Sequence, residues 1–315
     1  MRKYSIAKMV KILSVLMTSL ILSNTFSVSA EIKPKSVNDL DKMFAEQVKP
    51  NSIREVVVNE YTVIKSLQEK TNEELSESGF SDDEIAKLRE FDYEKELRKR
   101  SELNISELKE IGYTDNEIKL LKSKEEEWTE QDIEERAATL RLRMGINSVT
   151  NSARDWHIFY IWNWSGGIPF FVGEDILGVS CVGSREGFMA APTILQTSTA
   201  TAQYYHYGGQ YSHDETKNFK RVEEFLAEST FSLQTTNDAY EHKIAQSGYG
   251  TITISNTEPM DKLTVRLKYG HSTMTVTPSV NVDSTGVSGS FQFSRGVSIE
   301  ADLLGVYLPD GSIVP

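Results

Sequence analysis

Ala138-Thr-Leu-Arg-Leu-Arg-Met-Gly-Ile146 is the stretch at which the spacing of apolar residues changes from helical to strictly alternating. Side chains of a strand alternate between its two faces, so the apolar residues share one face: Leu140, Leu142, Met144 and Ile146. The other face carries Thr139, Arg141 and Arg143. The pattern predicts a half-buried strand, and it places the start of a β-rich region at residue 137.

Alternating or apolar segments continue to the C-terminus, separated by turn-forming Gly, Pro, Asn and Asp residues. The predicted strands cover residues 156–164, 176–182, 189–206, 219–234, 240–256, 262–269, 272–282 and 287–307. About eight or nine short antiparallel strands with such turns are typical of a β-sandwich. We therefore predict an antiparallel β-sandwich over residues 137–315, of jelly-roll or Greek-key-like design.

Residues 31–136 differ from the rest in their high content of charged side chains and their helical spacing. Ser36 followed by Asp39 predicts the start of a short amphipathic helix that ends at Pro50. A second helix is predicted over residues 52–69, although the valines at 56–58 favour extended backbone.

An internal repeat with an offset of about 33 residues lies within this region, over residues 71–100 and 104–133. Gly79 in one copy and Gly112 in the other can end a helix in the left-handed conformation. Each copy also begins with a capping pair, Thr71 with Glu74 and Asn104 with Glu107. The repeat predicts two helix–turn–helix units, which we interpret as a structural spacer. The predicted fold class is α+β by domains, a small N-terminal helical region followed by the sandwich.

The first thirty residues have the pattern of a secretory signal peptide. Basic residues precede an apolar run from Ile12 to Leu22, and Val28-Ser29-Ala30 supplies the small residues required for cleavage after Ala30. The apolar run is shorter than the roughly 20 residues of a transmembrane helix. We therefore expect a secreted, extracellular protein with no stable transmembrane anchor.

The net charge of −12 argues against nucleic acid as a partner, because phosphate binding requires clustered Lys and Arg. Cys181 is the only cysteine, so no intramolecular disulfide can form. Its apolar surroundings in the sequence predict a buried thiol. The oligomeric state stays open.

The segment Trp156-His-Ile-Phe-Tyr160-Ile-Trp162-Asn-Trp164 is rich in aromatic residues on both faces. A central, buried strand is the favoured interpretation, because large aromatic residues dominate protein cores. The alternative is an aromatic platform that stacks on sugar rings, with Tyr160, Trp162 and Trp164 as ligand-binding residues.

A second set of candidate ligand-binding residues lies in one predicted loop: His206, Tyr207, Tyr211 and His213. No catalytic residue, metal site or cofactor is assigned, because the histidines lack metal-ligand spacing and no phosphate-binding glycine loop is present. Glycoside hydrolysis requires a pair of carboxylates, and the candidates for such a pair are Glu174, Asp175, Glu223, Glu224 and Glu228.

The signal peptide, the Gly-aromatic-Ser/Thr motif, Trp162-Asn-Trp164, Pro169 and Asp175-Ile-Leu-Gly-Val-Ser180 together resemble uncharacterised secreted proteins of Gram-positive bacteria. The resemblance covers about half of the chain. It implies an extracellular location and no particular activity.

These observations favour a secreted, non-enzymatic binding or adhesion module, with a cell-surface glycan or protein as its partner. The alternative is a secreted β-pore-forming or membrane-acting toxin. It rests on the Ser/Thr-rich alternation in Thr193–Gln203 and Thr273–Ser298, which is typical of membrane-inserting hairpins. A secreted hydrolase is the third hypothesis, and no motif supports it.

Overall fold

The alternating segment at residue 139 forms strand β2 (Thr139–Thr150), with its four apolar side chains completely buried. In this computed structural model the described residues are 34–123, 127–170, 173–185, 188–191, 194–206, 210–237, 241–272, 280–282, 291–293 and 297–314. The predicted signal peptide lies outside them. β2 pairs antiparallel with β1 (Arg54–Asn59) on one side and with β3 (Asp155–Ser165) on the other.

Two antiparallel sheets contain most of the described strands. The other strands are β4 (Glu174–Arg185), β5 (Phe188–Ala191), β6 (Ile194–His206), β7 (Tyr211–Asn218), β8 (Lys220–Glu223), β9 (Leu226–Ser232), β10 (Gln234–Asn237), β11 (Glu241–Ser255), β12 (Lys262–Ser272), β13 (Val280–Val282), β14 (Phe291–Phe293) and β15 (Val297–Tyr307). Sheet A has the order β1-β2-β3-β11-β6-β7, with β10 also paired to β11. Sheet B has the order β15-β12-β4-β9-β8, with β5 paired to β4.

The main core lies between these sheets, whose inward side chains form one apolar cluster. Trp162 of β3 stacks on Phe231 of β9 with ring centroids 5.0 Å apart, which joins the two sheets. Two sheets that share a core face to face have the arrangement of a β-sandwich. The sheets meet along one side, where β1 contacts β15 and the Lys49 ammonium donates to the Asp310 carbonyl at 2.9 Å.

The described helices are α1 (Val37–Gln47), α2 (Glu60–Glu69), α3 (Asn72–Glu77), α4 (Asp82–Glu90), α5 (Tyr93–Glu102), α6 (Ile105–Glu110), α7 (Asp115–Leu121) and α8 (Glu130–Arg136), with a 3-10 turn at Pro50–Ser52. The predicted capping pairs are present at the starts of α3 and α6. Gly79 and Gly112 follow these helices with φ angles of 96° and 88°, the left-handed conformation that glycine adopts readily.

The helices do not form a region that precedes the sheets, and the predicted fold class was wrong. β1 lies inside the predicted helix 52–69 and supplies an edge strand of sheet A. Its β-branched valines favour extended backbone, and pairing with β2 satisfies the backbone groups along one side of β1. α1 packs on the outer face of sheet A, where Phe44 contacts Phe159. The fold is a mainly antiparallel β structure with helices distributed around it, not α+β by domains with a separate jelly-roll or Greek-key-like sandwich.

Candidate functional site

β13 and β14 form a short antiparallel hairpin apart from the two sheets, with Val280 opposite Phe293 and Val282 opposite Phe291. They belong to the segment between β12 and β15, two strands that are themselves paired as far as Ser272 and Val297. Adjacent antiparallel strands need only about two connecting residues. The segment 273–296 is therefore much longer than sheet B requires.

One side of this hairpin packs on the outer face of sheet B. Val280 and Phe291 are buried there against Ile176 of β4 and Leu226 of β9. Gln292, which points the other way, is exposed. The hairpin is therefore amphipathic, with its apolar side held against the protein.

Two glycines of sheet B make room for the aromatic rings of the hairpin. A Cβ atom placed at Gly178 would lie 2.4 Å from the ring of Phe291, and one placed at Gly270 would lie 2.9 Å from the ring of Phe293. Real Cβ atoms do not approach carbon this closely, so a larger residue would displace the ring. The two glycines define a groove that fits this hairpin.

Polar contacts at the groove also hold the hairpin. The backbone N–H of Val280 donates to a Glu228 carboxylate oxygen at 2.8 Å, and the Lys220 ammonium lies 3.8 Å from the other oxygen. The Lys268 ammonium lies 5.3 Å from the centroid of the Phe291 ring, a cation–π contact. For the described residues of the hairpin, burial of the apolar side chains Val280 and Phe291 is the main contribution to docking.

A buried polar cluster lies where β12 ends. Asp175 and His271 are completely buried, with His271 Nδ1 2.7 Å from Asp175 Oδ1. The Tyr269 hydroxyl donates to the other Asp175 oxygen and accepts from Trp164 Nε1 at 3.1 Å. Burial, together with the negative charge of Asp175, raises the pKa of Tyr269 well above its ordinary value. The cluster joins strands β3, β4 and β12 directly before residue 273.

Glu60, the first residue of α2, lies within electrostatic range of this cluster. Its carboxylate is completely buried and accepts from the Tyr93 hydroxyl and from the Phe170 backbone N–H, each at 2.8 Å. Burial raises the pKa of Glu60, and the Tyr93 hydrogen bond and the positive charge of His271 oppose the shift. The helices and the two sheets thus meet at ionisable groups that water does not reach.

The aromatic residues proposed as a ligand platform lie in the core. Tyr160 and Trp162 are 0% exposed and Trp164 is 5% exposed. The Tyr160 hydroxyl donates to the Thr199 carbonyl at 2.7 Å, so its polar end is satisfied internally. None of the three side chains presents a ring face to solvent.

The second set of candidate ligand residues lies where β6 turns into β7. Tyr207 falls outside the described residues, and the His206 N–H donates to the Gln210 carbonyl at 2.8 Å. His213 stacks on buried Tyr204 with ring centroids 5.1 Å apart, whereas half-buried Tyr211 packs against Tyr205 on the opposite face of sheet A. The structure therefore places His213 and Tyr211 on different faces.

The carboxylates considered for hydrolysis do not converge. Asp175 faces the interior and Glu228 the outer face of sheet B, while Glu223 and Glu224 are exposed. Among the described residues, no group of three or more His, Cys, Asp or Glu side chains is placed to hold a metal ion. Cys181 is buried and unbridged.

Sequence reasoning missed the partnership of Asp175 with His271. The sequence signal for this pair is the alternation of strand faces. Asp175 lies two residues before inward-facing Leu177, and His271 lies two residues after inward-facing Tyr269, so both share the inward face. A polar residue at an inward position predicts a buried partner, but the partner's identity depends on the pairing of β4 with β12.

No family model and no curated protein matches the chain. Among solved structures, it is similar to a "Pore forming protein" (9% identity, 56% of this chain and 83% of that chain, TM-score 0.23). It is also similar to Clostridium perfringens delta-toxin (7% identity, 59% and 89% covered, TM-score 0.26). A third structure is the KRT10-binding region domain of the pneumococcal serine rich repeat protein PsrP (11% identity, 42% and 76% covered, TM-score 0.19).

Within the described part of the chain, no helix has both the length and the apolar character needed to cross a membrane.

Proposed function

We propose that this protein acts on membranes, and that the segment between β12 and β15 inserts as a hairpin, of which the described strands β13 and β14 are stored on sheet B. The observation that carries the proposal is the amphipathic pair β13 and β14, whose apolar side is buried in a groove formed at Gly178 and Gly270. A hairpin that inserts into lipid needs an apolar side, and a soluble precursor must cover that side.

The sequence of the segment has the length and alternation that insertion requires. Residues 273–282 and 287–296 lie on either side of the turn-forming Asp283-Ser-Thr-Gly286, and each run has the roughly 9–11 residues of a membrane-spanning strand. Pairing across this turn requires a shift from the present register, in which residues 283–290 separate Val282 from Phe291. Met274, Val276, Pro278, Val280 and Val282 alternate with Thr, Ser and Asn along the first run. This is the pattern of a strand with one lipid-facing and one water-facing side.

The other alternating segment, Thr193–Gln203, is less suited to release. It belongs largely to β6, which pairs with β11 on one side and with β7 on the other. Its removal would break both ladders in sheet A. Removal of β13 and β14 would leave the pairing of β12 with β15 intact.

A single inserted hairpin would leave the backbone N–H and C=O groups at its two edges without hydrogen-bond partners in lipid. Each unsatisfied group costs roughly several kcal/mol. Hairpins from neighbouring copies of the chain can pair these edges. The proposal therefore includes assembly of several copies on the membrane, with β12 and β15 as the fixed ends of each hairpin.

A reversible disulfide tests the proposal. Ile176 of β4 and Val280 of β13 are buried in one apolar cluster, so cysteines at these two positions would link the hairpin to sheet B without adding a side chain at Gly178. We expect Ile176→Cys/Val280→Cys, in a Cys181→Ala background, to release no dye from vesicles when oxidised and to regain release when reduced. Single Ile176→Cys protein is the control, and its activity should not depend on oxidation.

Equal dye release from the oxidised and reduced forms would contradict a role for the hairpin. Absence of release at micromolar protein, with and without prior proteolytic activation, would contradict membrane action altogether. Circular dichroism of the oxidised and reduced forms checks that the disulfide has not changed the fold.

A secreted binding or adhesion module is the second candidate function. It is favoured by the half-buried Tyr211 and Tyr249 on the outer face of sheet A, both beside Asp214. Co-sedimentation with insoluble Gram-positive cell wall tests a glycan ligand. Salt-resistant pelleting that Tyr211→Ala abolishes would support it, and retention in the supernatant would exclude wall glycan.

A further inference from the structure

The outer face of sheet A carries a cluster of tyrosines around one carboxylate, apart from the hairpin groove. We call it the tyrosine–carboxylate patch; its members are Gln203, Tyr205, Tyr211, Asp214 and Tyr249. The strands β11, β6 and β7 are neighbours, and their outward side chains bring these residues together.

Asp214 is the centre of the patch. It accepts from Gln203 Nε2 and from the Tyr249 hydroxyl, both at 3.4 Å, and Tyr211 also bonds to it. Burial and the bond to Asp214 raise the pKa of Tyr211 to about 12, so this tyrosine is a neutral donor at physiological pH. All three donors are neutral, and none of them cancels the negative charge of Asp214.

The electrostatic potential around the tyrosine–carboxylate patch is negative. Burial raises the pKa of the nearby Tyr205, and the negative charges of Asp214 and of Asp39 in α1 add to the shift. The ring of Tyr205 packs edge-on against Tyr211 at 6.0 Å, which fixes the orientation of Tyr211. Asp214, Tyr211 and Tyr249 each retain part of their surface exposed to solvent.

We propose that the tyrosine–carboxylate patch binds a quaternary ammonium group such as that of choline. Aromatic faces beside a carboxylate attract such cations, because the ring quadrupole and the negative charge act together. A metal ion would require more oxygen ligands than one carboxylate supplies. A primary ammonium ion is a compact, strongly hydrated charge, so contact with the tyrosine rings would cost it more hydration than it costs a quaternary ammonium. A quaternary ammonium has no N–H group to satisfy.

Calorimetric titration with choline and with tetramethylammonium tests the site directly. We expect saturable binding of both to the full mature chain and none of ammonium ion. Asp214→Asn and Tyr249→Leu should each weaken choline binding about tenfold or more. Glu215→Gln is the matched control, because it removes the same charge from the neighbouring residue, which faces the other side of β7. No saturable binding by the wild type, or equal loss in Glu215→Gln, would overturn the proposal.

A lipid headgroup and a soluble metabolite can both supply this group, and a vesicle assay separates the two sources. Only the lipid source rests on the proposed membrane function. Pelleting with phosphatidylcholine vesicles that free phosphocholine competes away, and that Asp214→Asn reduces, would support the headgroup. Binding of free choline without pelleting would overturn the lipid source and leave a soluble ligand.

Dye release from vesicles that lack choline lipids tests the hairpin alone. Failure of the patch and failure of the proposed function are therefore distinguishable.

Discussion

His271 and Asp175 lie directly opposite each other in the pairing of β12 with β4, and their side chains bond in the interior with Nδ1 2.7 Å from Oδ1. Breaking a buried pair leaves one polar group without its partner. We expect Asp175→Asn to lower the free energy of unfolding by about 3–5 kcal/mol in urea titrations. Glu258→Gln, which removes a carboxylate from an exposed pair with Arg185, should cost about 0–1 kcal/mol. Equal effects of the two substitutions would contradict this account.

Glu60 should make stability depend on pH. Burial raises its pKa in the folded protein above the ordinary value of 4.5, so folding favours the protonated carboxyl. That contribution is complete below pH 4.5 and is lost as the pH rises through the raised pKa. Glu60→Gln keeps the shape of the side chain and should flatten this decline in unfolding free energy. The exposed Glu102→Gln should keep the wild-type profile, and an unchanged profile in Glu60→Gln would contradict the assignment.

Trp162 should behave as a core residue. Its ring is completely buried and stacks on Phe231, so Trp162→Ala would leave a large cavity between the sheets. We expect a loss of about 3–5 kcal/mol in unfolding free energy, measured by chemical denaturation. Leu304→Ala, at a position that is 47% exposed, should change stability by less than about 0.5 kcal/mol. If Trp162→Ala folds with wild-type stability, Trp162 is not a core residue and becomes a candidate ligand-binding residue again.

Gly178→Ala should loosen the stored hairpin without unfolding the sheets. Its methyl group would lie at the ring of Phe291, and β13 and β14 pair with each other rather than with sheet B, so the hairpin should move. We expect local opening to increase about tenfold, measured as faster hydrogen exchange at the Val280 amide. Thr264→Ala is the control, since it removes atoms from the same face of sheet B. Faster exchange throughout β4 and β12 would indicate global destabilisation instead.

Local patterns predicted much of the backbone. The parity of Leu140 and Ile146 identified the buried face of β2, and the capping pair Thr71 and Glu74 identified the start of α3. These features depend on residues close together in the sequence, where periodicity and capping chemistry act directly.

The pairings between distant segments were beyond such reasoning. β1 was predicted as part of a helix because the strand with which it pairs, β2, begins about 80 residues later. The strands predicted over 272–282 and 287–307 were likewise assigned to a sandwich. In the structure β13 and β14 are not part of sheet B but pack on its outer face, where Gly178 and Gly270 leave room for their aromatic rings. Strand propensity does not contain that information.

The contact between β1 and β15 has a consequence for how the protein is made. The ribosome synthesises about 240 residues between the start of β1 at Arg54 and the start of β15 at Val297. During that interval β1 lacks the strand that it contacts at this side of the molecule. This part of the fold is therefore completed only after β15 has emerged, and a nascent chain stalled before β15 would present unpaired strand edges to other chains.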